Sequence, residues 1–478
     1  MEARTSEVEP TLLEQEVDKM EQSEVESRIL NQANRLGAQE AESFFLTKRL
    51  ITVRMANNQI LESKGITDRG VGVRVVKDQA IGFTFTSNVE KESVERTVQD
   101  AFTAARVRGP TKHWGSLPTP RKANPIPRTF DQEIADIDTD YAVNIAIRML
   151  DAASNQSPKI TDVSGSLNLV FDNVRITNSH GVDAAEKSTA IFGSVTTEAE
   201  DNASKSSGVG FQGKRILKDF QPERVGQESA EMAVDSLGAS KTEAGEYSLI
   251  LEPFALAEIM SYVFAGAVIS KSYQDKVSCF HGKIGEQIAD TNLSIYDDPT
   301  LPECLGSTAF DDEGVPTQRL PIVEKGIFKT LLYDTFYGSK DKKPSTGSGR
   351  RSELLPGRSY KSIPFPEPHN FVIGKGDQTR DRLIEDTKRG ILVGRIWYTY
   401  PLNPERGDFS TTTRSGAFLV EKGEIRKPIS PMRIFDNLPK CLKNVGSIAD
   451  NVKQVAPWFG YFLVAPTLQF NKVKATPT

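Results

Sequence analysis

A chain of 478 residues with 38% apolar and 26% charged side chains has a globular composition and is too long for one core of ordinary size, so two or three domains are expected. Its 59 Lys and Arg against 64 Asp and Glu leave a net charge of −5 with no long basic run, which speaks against nucleic-acid binding. Cys279, Cys304 and Cys441 are too few and too widely spaced for a secreted disulfide framework, no apolar run nears the roughly 18 residues of a membrane span, and the acidic start lacks a signal peptide's apolar core. The expectation is a soluble, cytoplasmic protein.

Residues 1–25 are acidic and poor in large apolar side chains, the mark of a disordered tail or a solvated helix. Apolar positions recur at helical spacing over 23–36, and Gly37 is a natural stop. Segments 44–53 and 60–63 alternate as strands, and 70–85 reads as a hairpin turning at Lys77, Asp78 and Gln79. A helix over 93–106 precedes a connecting loop carrying Pro110, Pro118, Pro120, Pro125 and Pro127. Asp138 is placed to cap a helix running to Ala153. Strand-like runs follow at 160–168, 169–178, 183–198 and 204–211, then a helix over 222–237. The main boundary is placed near Ala239, giving domains 26–238 and 239–478. Beyond it, short strands alternate with Gly-centred turns at Gly326, Gly376 and Gly423, while 340–362 is polar and reads as a mobile loop. The fold class expected is α+β: a mixed N-terminal region, then a β-rich, barrel-like domain.

Three stretches carry more information than their composition: GKIGEQIAD from Gly282, DDEGVPTQ from Asp311 and VEKGI from Val323. With DRGVGVRVVKD from Asp68, NSHGV from Asn178 and VEKGE from Val420, their order and spacing resemble the TldD/PmbA family, whose PmbA members are also called TldE and which carries an older label as a modulator of DNA gyrase. The resemblance covers about residues 40 to 470. It implies a heteromeric peptidase in which a TldD-type subunit holds zinc through an H-E-x-x-x-H helix and a distant cysteine, with unfolded or short peptides as substrates. Counting back without gaps from Gly285 and Glu286, that motif falls on Ser261, Tyr262, Val263, Phe264, Ala265 and Gly266, none of which supplies an imidazole ligand or a carboxylate base. Residues 455–470 hold no cysteine either.

The resemblance therefore implies a TldE-like chain with no catalytic residue, metal or cofactor of its own, paired with a TldD-type partner that carries the zinc. Asp311, Asp312, Glu313, Gly314, Thr317 and Gln318 are read as a structural signature, with Gly314 at positive φ in a turn. The T-G-x-G-R-R pattern at Thr346 is more familiar in TldD-type chains; its Arg350 and Arg351 are candidates for a peptide carboxylate or an acidic surface, with a plain solvated loop as the alternative. Two other classes stay open: a hydrolase active on its own, with Cys279 and His281 as the nearest thiol and imidazole, and a regulatory binding module. His113, His180, His281 and His369 form no metal-ligand spacing.

Overall fold

The computed structural model describes residues 12–352, 357–458 and 460–478; residues 1–11 of the acidic stretch lie outside the described residues. The chain opens with α1 (Leu12–Arg35), and Gly37, at φ 81, turns it into β1 (Glu40–Ala56), β2 (Gln59–Lys77) and β3 (Ala80–Thr86). The β2–β3 turn falls on the expected residues: Asp78 and Gln79 take φ 51 and 63, the left-handed pair of a two-residue hairpin. Next come α2 (Lys91–Arg108), α3 (Gln132–Asp136) and α4 (Thr139–Ser154), with Asp138 accepting from the Tyr141 N–H at 2.7 Å as the α4 cap. β4 (Ile160–Asn178), β5 (Asp183–Asp201), β6 (Ser204–Lys214) and α5 (Pro222–Asp235) complete this half.

The strands form one antiparallel sheet in the order β3-β2-β1-β4-β5-β6. The sequence reading split β4 at residue 168; the strand is continuous, because its two halves bury opposite faces. Val163, Leu167 and Leu169 point into a core shared with α4 and α5, whereas Val174 and Ile176 point to the other side, against Phe310 and Tyr360. An apolar run at the crossover reads as a break, since alternation changes phase there. β1 behaves alike: Phe45, Ile51 and Val53 face the helices, while Phe44 and Leu46 face Phe310 and Tyr360. The sheet thus presents one face to its helices and the other to the later half of the chain.

That later half contains a closed five-stranded barrel. β7 (Gly245–Leu251) pairs with Arg389–Asn403 on one side and Leu468–Pro477 on the other. Leu468–Pro477 continues to Met432–Asn437, then Asp408–Glu421, which pairs back onto Arg389–Asn403 and closes the ring. A sheet of short strands, including Ile295–Asp297, Leu320–Glu324 and Phe371–Ile373, lies beside it and shares its large core. The α+β architecture and the C-terminal barrel are as expected. The 340–362 segment departs from a plain mobile loop: Gly349–Arg350 pairs with Phe365–Pro366, and Arg351 is fully buried. No helix among the described residues is long and apolar enough to cross a membrane.

Close backbone packing fixes the helices on the first sheet. A Cβ at Gly82 in β3 would stand 1.9 Å from the Ala101 carbonyl oxygen of α2. Gly82→Ala is expected to cost about 1–3 kcal/mol through forced separation of helix and strand, read as a lower urea midpoint.

Candidate functional site

The segment onto which the sequence reading places the family's metal motif is a helix of three parts. α6 (Pro253–Ile259) starts with proline at its first turn; a π-helical turn, Met260–Phe264, follows, and α7 (Ala265–Val268) ends it. The π turn matches the five-residue ligand spacing that the resemblance implies. On a regular α-helix two residues five apart are about 140° apart, whereas i→i+5 bonding brings them onto neighbouring turns of one side. Ser261 lies within this turn and Gly266 two residues beyond it, and neither supplies an imidazole or a carboxylate.

The chain fills the space over that turn with its own C-terminal loop. The Tyr461 N–H donates to Ser261 Oγ at 3.2 Å, and a Cβ at Gly460 would stand 2.9 Å from the same oxygen. The Tyr262 hydroxyl donates to the Trp458 carbonyl oxygen. Val263 and Ala265 are core residues, and the Phe264 ring packs on Phe371 at 5.7 Å and Phe280 at 6.3 Å. Gly266 is exposed, with open space where a side chain would be. A single serine hydroxyl, already an acceptor, is no zinc donor set, so the residues present do not fit the metal. Among the described residues no three His, Cys, Asp or Glu side chains gather as a metal site elsewhere.

One charged group on this helix escaped the sequence reading. Glu258 is buried; it accepts the Ile396 N–H at 2.9 Å, and Arg395 Nε lies 3.9 Å away. Burial pushes its carboxyl up to about 8 against the pull of Arg395. Arg395 stacks between the rings of Trp458 at 4.5 Å and Trp397 at 5.1 Å. The signal was a lone acid inside the apolar run ALAEIMSYVF.

The DDEG signature forms a second polar centre, against the back of the first sheet. Asp311 accepts the N–H groups of Glu313, Val315 and Gly349 at 3.0, 2.9 and 2.9 Å, which closes the turn with Gly314 at φ 77. Glu313 accepts from Arg74 at 3.0 Å and from the Thr335 N–H at 2.7 Å. Asp312 accepts the Arg351 N–H at 2.7 Å and pairs with Arg358 Nε at 2.7 Å. Glu42 of β1 bridges Arg74, at 2.6 Å, and Arg351. Arg351, read as a candidate anion contact, is therefore held in the interior and unavailable to a solvent-borne carboxylate; burial is the reason. Arg350 is half-buried and donates to the Pro368 carbonyl oxygen at 2.9 Å. Gly285, at φ 89, donates to the Phe328 carbonyl oxygen at 2.7 Å, and Glu286 returns the pairing through its own carbonyl. The Thr317 hydroxyl donates to the Thr308 carbonyl oxygen at 2.5 Å, and Gln318 is exposed.

The thiol alternatives are chemically quiet. Burial pushes Cys279 and Cys304 up to about 11 and Cys441 higher still, so all three stay protonated at neutral pH. The His281 ring turns to Tyr273, with Nδ1 at 2.8 Å from its carbonyl oxygen. His180 sits beside Ser116 at 3.2 Å, and His369 is buried against the Gly347 carbonyl oxygen at 2.9 Å.

A helix-backed sheet, a closed barrel and a π-turned helix define a two-part α+β protein. Three family models match in order: PmbA/TldA metallopeptidase domain 1 over residues 41–105, the central domain over 132–237 and the C-terminal domain over 244–476. The chain belongs to the TldD/PmbA metallopeptidase family. It is 26% identical to a metalloprotease TldD homolog of Haemophilus influenzae over 80% of both chains. To the metalloprotease PmbA of Escherichia coli O157:H7 it is 25% identical, over 81% of this chain and 82% of that one. The fold matches TldE from Thermococcus kodakarensis with a TM-score of 0.87 at 23% identity, over 95% of this chain and all of the other.

Two measurements follow from the two polar centres. The folded Glu258 carboxyl keeps its proton up to about pH 8 while an unfolded one releases it near 4.5, so unfolding releases a proton throughout that window and stability falls as pH rises across it. Glu258→Gln is expected to flatten this slope, by at most about 1.4 kcal/mol per pH unit, in urea titrations from pH 5 to 8. Glu42→Ala leaves Arg74 and Arg351 sharing too few carboxylates in the interior and is expected to cost about 3–5 kcal/mol by the same assay.

Proposed function

We propose that this chain is the TldE/PmbA-like, non-metal-binding subunit of a cytoplasmic TldD/TldE metallopeptidase complex that degrades or processes unfolded or short peptides. The observation that carries the reading is the π-turned helix whose ligand positions are read as Ser261 and Gly266, with Trp458, Gly460 and Tyr461 seated over it. A helix that keeps the geometry of a metal frame without any donor suits a subunit whose partner supplies zinc and the hydrolytic water. The three high-lying thiols give no support to a cysteine peptidase acting alone.

On this reading the chain is built of domains 26–238 and 239–478. It stabilises the metal-bearing subunit and helps enclose the peptide, which pairs by its backbone with a sheet edge, a mode tolerant of sequence. Co-expression with a TldD-type subunit, followed by sizing, metal analysis and a peptide-cleavage assay, tests it. The expected outcome is a heteromer with zinc in the partner, fast cleavage by the pair, and no cleavage by this chain alone. Stoichiometric zinc in the isolated chain, or cleavage by it as fast as by the pair, would overturn the assignment.

A further inference from the structure

The barrel wall made by Arg389–Asn403, Asp408–Glu421 and Met432–Asn437 carries an aromatic and arginine surface that the fold does not use. Strand register sets it in two rows: Trp397, Thr412 and Arg433 lie side by side, as do Tyr400, Ser410 and Phe435. Phe435 is 61% exposed, Tyr398 66% and Tyr400 43%. Register shifts between Trp397 and Tyr400, where Tyr398 is held at φ 53; a large side chain in this left-handed conformation on an open surface is strained.

Two cations of this wall, Arg414 and Arg433, have no carboxylate partner among the described residues. The Arg414 guanidinium lies over the Trp397 ring at 4.6 Å. Arg433 donates to Thr412 Oγ1 at 3.1 Å and to the Tyr400 hydroxyl at 3.4 Å. Neither arginine forms an ion pair among the described residues, on a chain whose net charge is −5. Rigid rings lose little entropy on contact, and Trp, Tyr and Arg are the residues that anchor protein interfaces. Free guanidinium groups select carboxylates opposite them.

We propose that this wall is the docking surface for the metal-bearing partner subunit, engaged by an apolar face of that subunit edged with carboxylates. The proposal rests on the subunit reading above and names the face it uses. Binding of the TldD-type subunit is measured by calorimetry for the unmodified chain, for Phe435→Ser and Arg414→Glu singly and together, and for Arg96→Glu on α2 as a distant charge-reversal control. Each patch variant is expected to weaken Kd about ten-fold or more, the pair of changes to abolish measurable binding, and the control to bind as the unmodified chain does. Urea midpoints should be unchanged; if Phe435→Ser lowers its own, the exposed Arg414→Glu carries the test. Unmodified binding that survives both patch changes overturns the docking face and leaves the subunit reading standing, as does a patch change that affects only self-association of this chain. Failure of the unmodified chain to bind any TldD-type subunit overturns both.

Discussion

The structure depends on a buried network of charge where the first sheet meets the DDEG turn. Glu42, Asp312 and Glu313 face Arg74, Arg351 and Arg358, all nearly removed from water. Charges so placed are tolerable only when each is paired and its remaining hydrogen-bonding positions are met. That requirement is geometric: Glu42 reaches Arg74 and Arg351 together only if β1 lies in one register against the later half of the chain. Apolar contact of Phe44, Leu46 and Ile176 with Phe310 and Tyr360 would permit small slips; the network does not. Burial and the neighbouring Glu313 push Asp311 and Asp334 well above the usual carboxylate range, which relieves negative charge that the arginines do not offset.

A fixed seam has consequences for the barrel. The chain leaves the DDEG turn through Leu320–Glu324, whose sheet also holds Phe371–Ile373 and Leu463–Ala465. Leu463–Ala465 leads out of the loop that lies over Ser261, and Phe371 packs on Phe264 at the π turn. The polar seam and the π-turned helix are thus joined by one short-stranded sheet. This arrangement lets the DDEG turn fix the position of the π-turned helix.

Much of this was legible in the sequence because it is local. The Asp78–Gln79 turn, the Asp138 cap and the Gly314 turn are each set by residues within a few positions of one another. What was hidden is non-local or changes phase. Glu42 and Arg351 are 309 positions apart, so neither announces the other, and an arginine in a Gly-rich polar stretch reads as solvated until its partner is seen. β4 was read as two strands because its buried face switches midway. The π turn has no propensity signature of its own, and nothing in the sequence reading pointed toward it.

With Ser261 and Gly266 where the resemblance implies ligands, the helix has packing rather than coordination to satisfy. A metal frame needs open volume above its donors and a polar second layer to orient them. Ser261 is small enough for Gly460 and the Tyr461 N–H to close on it, so the volume over the frame is occupied by backbone and the hydroxyl is satisfied. About one turn earlier, Glu258 is the one acid in this helix; burial keeps it protonated near neutrality, and its partners are the Ile396 N–H and Arg395 rather than solvent. Arg395 in turn holds Trp458 and Trp397 by their faces, which ties the covering loop to the outer barrel wall. The helix is held by packing on both sides. Through that stack of rings and guanidinium it remains coupled to the surface where Arg414 and Phe435 are exposed.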